Sequence, residues 1–589
     1  MSEEDNSKGA GLNKESHFLK SMFKESDAYS SMDLIESLVE KGVGLSSVPL
    51  QPLYLAVKNL PVEQAAQHLE KFTVEQRRLM LDLDLWQKDE LDPDEFEFWV
   101  ESYSHCLTEE VRSEFVKSME FLLYLKGRFN IWTFDVDDPQ YPDHDNYFLT
   151  DDSLLLFEFH DDYALVDHVR SLIRELYSEL GVEKAYSWLF KMVSEGALST
   201  LEEEYQMKKG RLADAGFVDY FDALEMDHPH INLAVMDNWI KKKEKVSVGV
   251  HQFAKQQILP KKALVPFENK FESFDSELTK LTDDKRVEYL QFNFLRLVNG
   301  SITLNGSFKD GAIAINRAGE KTKSMLELGF SYLSKVALSK GLIEVEPEES
   351  LFDWFDFTEI FRIGRSLIAF GQKDLKKALK AGELEDDESF YGQMISDFLD
   401  QSFDRPTKVS ETWNSTPQVI DHWNHYEIWK QKVVFFCSLN PYINKLFVSF
   451  LPLKNSGQIQ DSFYFNYNVA EIDFESILIS SLSNYILVQE GSLDSKVWDQ
   501  GKLGLTLDEF KSLIRIILTE DMTLNWENVA SHFSKYKEQF GLSEVPYFDQ
   551  YLRELLIAQL EGYDYPHLEE EEFAHVGGPI LLKPIAELH

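Results

Sequence analysis

Between Leu60 and Trp99 the chain reads LPVEQAAQHLEKFTVEQRRLMLDLDLWQKDELDPDEFEFW, with apolar positions three and four residues apart in three short runs. Each run opens on a helix start signal. Pro61 stands where a first helical residue belongs. Thr73 is followed three residues later by Gln76, the pattern of a capping box. Asp92-Pro93-Asp94-Glu95 places a cap, a proline and two acids at the third start. Helices this short are marginal alone and must bury a face against their neighbours. The spacing therefore predicts a stacked, superhelical array, an architecture that presents surfaces to partners.

The same pattern organises the rest. Residues 1–15 read as a flexible tail and 16–126 as helical, with Met32, Leu34, Ile35, Leu38 and Val39 on an early helix face. The last helix of the array is expected to start near Thr108 and to run through Phe115, Met119, Leu122 and Leu123. From Gly127 the period changes. Phe129 to Phe134, Tyr147 to Thr150 and Leu154 to Phe159 are aromatic-rich runs that predict a β-hairpin or three-stranded element over 127–160. Residues 161–305 read as a helical and mixed domain and 306–565 as a C-terminal helical domain, with joints near Gly341, Pro347, Gly382, Pro406, Pro452, Gly491 and Pro546. Residues 566–589 read as an acidic, then apolar, tail whose last apolar residues dock. The predicted class is mainly α and multi-domain.

Composition sharpens this picture. At 589 residues the chain suits roughly three to five domains of about 100–200 residues each. A 43% hydrophobic share and 13% aromatics provide enough apolar surface for packed cores. The net charge of −43 repels phosphates and anionic surfaces, so nucleic acid is not an expected partner. The lysine runs at 241–245 and 261–262 are too small to form a basic face. The polar first residues, MSEEDNSKGAGLNKESHF, do not read as a secretory signal. No continuous run of about 18 apolar residues is visible, so membrane insertion is not expected and the cytoplasm is the expected compartment.

Candidate chemistry is sparse. Gly9-Ala10-Gly11 and Gly42-Val43-Gly44 lack the rest of a phosphate-binding loop. Two cysteines, Cys106 and Cys437, cannot form a cysteine zinc site; neither sits beside an obvious activating base, and Cys437 reads as a buried apolar residue. The densest acids are Asp135, Asp137, Asp138, Asp143 and Asp145, with His144 among them. Oxygen ligands at this density could take Mg²⁺ or Ca²⁺, but Pro139 stands at the fifth position and no Gly follows, so an EF-hand is excluded. A solvated loop explains the acids as well. In IDHWNHYEIW, His422 and His425 lie three apart on one helix face beside Asp421, a spacing that zinc can use. Trp423, Tyr426 and Trp429 make the same stretch an aromatic packing face. Asp227-His228-Pro229-His230 marks a helix end before it marks a ligand set.

Six segments resemble the bacterial family DUF6178: residues 75–96, 208–226, 294–306, 325–334, 357–368 and HVGGPILL at 575–582. The resemblance spans about 48–585 and brings no activity or site residues with it. The array LPVEQAAQHLEKFTVEQRRLML also resembles the cytosolic N-terminal superhelix of MgtE magnesium transporters. That resemblance implies a regulatory module rather than transport. The expected function is a non-catalytic protein-binding or scaffold role, with no cofactor. A divalent-cation-responsive regulator is the alternative. A metal-dependent enzyme whose site joins His422 and His425 to distant acids is the third.

Overall fold

The computed structural model describes residues 45, 50–58, 60–87, 90–190, 197–246, 277–305, 311–382, 384, 388–459, 461–488, 503–574, 576 and 578–584. The 1–15 tail, the Met32 to Val39 face, the glycines at 9–11 and 42–44 and the lysines at 261–262 lie outside these residues. The described fold is mostly helical. It forms two compact units, residues 1–228, 244–322 and 345–359 in the first, and 229–243, 323–344 and 360–589 in the second.

In the first unit the array follows its local signals. Helix α1 is Leu50–Lys58, α2 Val62–Leu69, α3 Val74–Asp84, α4 Pro93–Ser104, α5 Glu109–Val116 and α6 Met119–Arg128. The Thr73–Gln76 capping box forms in both directions. Asp92 accepts from the N–H groups of Asp94 and Glu95, with Pro93 as first helical residue. Pro61 is the N-cap, one residue ahead of its expected place.

The single helix expected from Thr108 through Leu123 is two helices. Ser118 adopts an extended backbone and its hydroxyl accepts from Phe121 N–H, starting a new helix at Met119. The Thr108 side chain makes no cap bond. Glu70 instead reaches from the end of α2 to accept from Thr108 N–H at 2.7 Å. Asp84 ties three helices of the array together, accepting from Tyr54 Oη (2.5 Å), Lys58 Nζ (2.8 Å) and Trp99 Nε1 (2.6 Å).

Trp86–Gln87 (β1) and Glu90–Leu91 (β2) form a short antiparallel pair that the period-two pattern does not reveal. The expected three-stranded element is present as β3 (Asn130–Thr133), β4 (Tyr147–Leu149) and β5 (Leu155–Glu158), antiparallel in the order β3-β5-β4. Phe148 and Phe157 stack at 5.1 Å on its buried face.

The array packs on helix Ala197–Asp214 through a buried ion cluster. Arg211 Nε donates to Asp82 Oδ2 at 2.7 Å, and its Nη2 to Asp82 Oδ1 (2.6 Å), Glu120 Oε1 (3.2 Å) and Glu204 Oε1 (2.6 Å). Burial, then the charges of Glu204 and Asp82, push the Glu120 carboxyl up to about 7. Helix Ala197–Asp214 ends on Gly216, at φ +83°. Phe217 N–H reaches Leu212 O at 2.8 Å and Gly216 N–H reaches Ala213 O at 3.0 Å, the two bonds of a Schellman motif. Asp219 holds the next N-cap position, yet its carboxylate makes no cap bond and takes Tyr205 Oη and Lys209 Nζ instead.

In the second unit, residues 323–331 of helix Gly311–Ser331 and 360–380 of helix Phe357–Lys380 touch backbone to backbone. A Cβ at Gly329 would stand 2.0 Å from Ile360 O, and one at Gly364 the same distance from Met325 O. The segments 325–334 and 357–368 thus carry a helix crossing that only glycine permits. Helix Trp423–Asn455 runs through the unit, burying Trp429, Phe435, Phe436, Leu439 and Ile443. Pro452, read as a joint, lies inside it. By length and composition this one helix could cross a membrane; half of its most apolar window is buried within the protein, as in a core helix. The apolar tail docks: Leu505 N–H donates to Leu581 O (2.8 Å), and Lys583 N–H to Leu505 O (2.7 Å).

Two stability predictions follow from the first unit. Gly216→Val places a β-branched residue at positive φ, with its Cβ about 2.7 Å from Leu295 Cδ2. It is expected to lower stability by about 1–2 kcal/mol, read as a lower denaturant midpoint. For Glu120, the folded state keeps a proton that the unfolded chain loses near 4.5. Its contribution is therefore full below that pH and lost as pH rises through about 7. Glu120→Gln should flatten this decline and stabilise the protein at pH 8 by on the order of 1–3 kcal/mol, measured by denaturation at pH 5 and pH 8. An unchanged pH profile would refute the assignment.

Candidate functional site

Of the sequence candidates, the structure brings together the histidine pair. Strand β6 (Lys408–Val409) pairs with β7 (Gln418–Val419), and Ile420 N–H donates to Thr407 O at 3.0 Å. The chain then turns through Asp421 and His422, the N-cap, into helix Trp423–Asn455. Trp423 N–H donates to Ser331 Oγ (3.0 Å), and its ring packs on Tyr332 at 5.4 Å. The turn is thus clamped on both sides.

Within it, Asp421 Oδ1 lies 2.6 Å from His422 Nδ1 and 3.1 Å from His425 Nδ1. The imidazole centroids are 3.6 Å apart. His425 is buried, while Asp421 and His422 are partly open to solvent. Val419 O, an acceptor only, lies 3.1 Å from His425 Nδ1, so that nitrogen carries the proton and leaves Nε2 as the basic atom. Glu327, on helix Gly311–Ser331, is close enough for its charge and that of Asp421 to oppose one another. Burial, more than Asp421, pushes its carboxyl up to about 7.

Among the described residues two groups offer three metal donors within 4.8 Å of one another: Asp421, His422 and His425, and Glu101, His105 and His168. The second group escaped sequence reading because His168 lies on helix Val166–Leu180, far along the chain from α4. Its rings stand 5.3 Å apart, and His168 Nδ1 is engaged by Ser104 Oγ at 2.7 Å.

The acidic loop forms no such group. Asp135, Asp137, Asp138, Asp143 and Asp145 are exposed; Asp135 accepts from Asp137 N–H at 2.9 Å, and His144 turns to Glu158 at 2.8 Å. His230 is buried, with its backbone N–H donating to Ser366 Oγ (2.9 Å), and Asp227 pairs with Lys321 at 3.0 Å. Cys106 is buried, and burial pushes its thiol up to about 12, the opposite of an activated nucleophile.

The loop geometry predicts weak cation binding. With a Kd of about 10 mM or weaker, 1 mM Mg²⁺ or Ca²⁺ adds only about 0.06 kcal/mol. The melting temperature should therefore stay flat beyond general screening. A saturable rise that Asp137→Ala with Asp143→Ala removes would refute this.

The sequence profile of a family of unknown function, DUF6178, matches residues 23–405. No curated protein and no solved structure matches the chain. These comparisons do not reproduce the likeness to the MgtE module. Asp421, His422, His425 and the HVGGPILL segment lie beyond the matched residues. The match covers well over half of the chain, and the protein belongs to the DUF6178 family.

Proposed function

We propose that this chain is a non-catalytic, cytoplasmic protein-binding scaffold, and that its first unit takes a basic, extended segment of a partner protein along β3. One observation carries the reading: an outer strand with an acidic rim. β3 is an edge of its sheet. Phe134 N–H donates to Leu154 O at 2.9 Å. The alternation of an antiparallel ladder then turns the backbone groups of Asn130 and Trp132 toward β5, and those of Ile131 and Thr133 outward. An edge of this kind is a template for an added strand.

The side chains favour one partner chemistry. Trp132 is 37% exposed and Tyr141 54%, giving apolar surface beside the edge. Five exposed aspartates, Asp135, Asp137, Asp138, Asp143 and Asp145, lie in the loop that leads from β3 to β4. Their charge, within a chain of net −43, steers a lysine- or arginine-bearing segment and rejects an acidic one.

The test is fluorescence anisotropy of a labelled eight-residue peptide alternating Lys and Val, titrated with the full chain. The expected result is binding that weakens as salt rises above about 0.15 M. Ile131→Pro removes an outward N–H without breaking the internal ladder, and should weaken binding about tenfold or more. Equal binding by this variant, or equal binding of a Glu/Val peptide, would overturn the proposal.

A further inference from the structure

We propose that Asp421, His422 and His425 form an open binding site for a borderline divalent transition metal, zinc foremost. The inference uses the second unit alone and stands apart from the docking role of β3. One carboxylate and two imidazoles contribute donor atoms within 4.8 Å of one another. Around a tetrahedral zinc with bonds of about 2.0–2.1 Å, donors stand about 3.3 Å apart. Asp421 Oδ1 stands 2.6 Å from His422 Nδ1, which a small side-chain shift opens to that value, and His425 would bind through Nε2 while its Nδ1–H stays on Val419 O.

The donor set selects the metal. Imidazole nitrogen suits zinc, nickel, cobalt and copper, whereas Mg²⁺ and Ca²⁺ require oxygen shells. The two imidazole rings pack at 3.6 Å beside one carboxylate, so nitrogen and oxygen donors of the kind zinc takes meet in one turn. The helix N-terminus beneath His422 carries about half a positive charge, which the full charge of Asp421 outweighs.

Preorganisation is the second, independent support. The donors span five residues at a strand-to-helix turn fixed by Ile420 on Thr407, Trp423 on Ser331 and His425 on Val419. Such clamping is the supporting shell that metal sites use to hold their ligands. Asp421 and His422 face solvent, so three protein donors leave a fourth position for water or an incoming ligand.

The experiment uses the full chain, stripped with chelator and then titrated with Zn²⁺ against a chromophoric competitor, with metal content read by mass spectrometry after gel filtration. The expected result is about one zinc per chain, undisturbed by millimolar Mg²⁺. His422→Ala and Asp421→Asn should each weaken binding about tenfold or more. Both positions are partly exposed, and circular dichroism checks that each variant folds. Zinc well below one per chain, unchanged affinity in the folded variants, or loss of zinc in His168→Ala instead would overturn the proposal.

Discussion

Arg211 holds Asp82, Glu120 and Glu204 in the interior of the first unit and is the charged link that seats helix Ala197–Asp214 on the array. The chain has 59 basic and 102 acidic residues, so cations to neutralise buried acids are scarce. One arginine can serve three carboxylates only if a proton shares the load, and the raised Glu120 carboxyl supplies that share. Removing the arginine would leave uncompensated buried charge, a change that costs about 3–5 kcal/mol. The second unit meets the same constraint differently. Glu475 is buried and takes Tyr551 Oη (2.7 Å) and Met394 N–H (3.2 Å), while burial, then the charge of Asp473, push its carboxyl up to about 8. There the acid is kept neutral and hydrogen-bonded rather than paired.

Short helices set the second requirement. Eight- to twelve-residue helices gain little from propensity and hold only when their ends are satisfied and one face is buried. Thr73, Asp92 and Ser118 satisfy their own helix starts. At Glu109–Val116 the cap comes from another helix, through Glu70. That bond locks two neighbours together while it caps one of them, so local and tertiary stability are the same interaction there.

The acids outside the cores divide by surroundings. Between Asp135 and Asp145 they are exposed, and His144, the one imidazole among them, turns to Glu158, which suits steering of a basic segment rather than cation capture. At Asp421 a single carboxylate is held against two imidazoles by a clamped turn, which suits a transition metal. Carboxylate count alone would rank these two places in the wrong order. Donor type and rigidity decide between them.

Much of the fold was legible in the sequence wherever a signal is local. The capping box at Thr73, the Asp92-Pro93 start and the strand runs at 129–159 are set by neighbours a few residues away, and each formed. The pairing of His422 with His425 was readable from their spacing, although His422 is the extended N-cap rather than a residue of the helix face. What sequence could not reveal arises from contacts across long separations. Ser118 splits a pattern that reads as one helix, and Pro452 continues one that reads as broken. Arg211 finds Asp82 from 129 residues away, and Glu327 approaches Asp421 from another helix. Helical period records which face is apolar, but not which distant carboxylate or backbone will lie against it; that choice is made only when the helices pack.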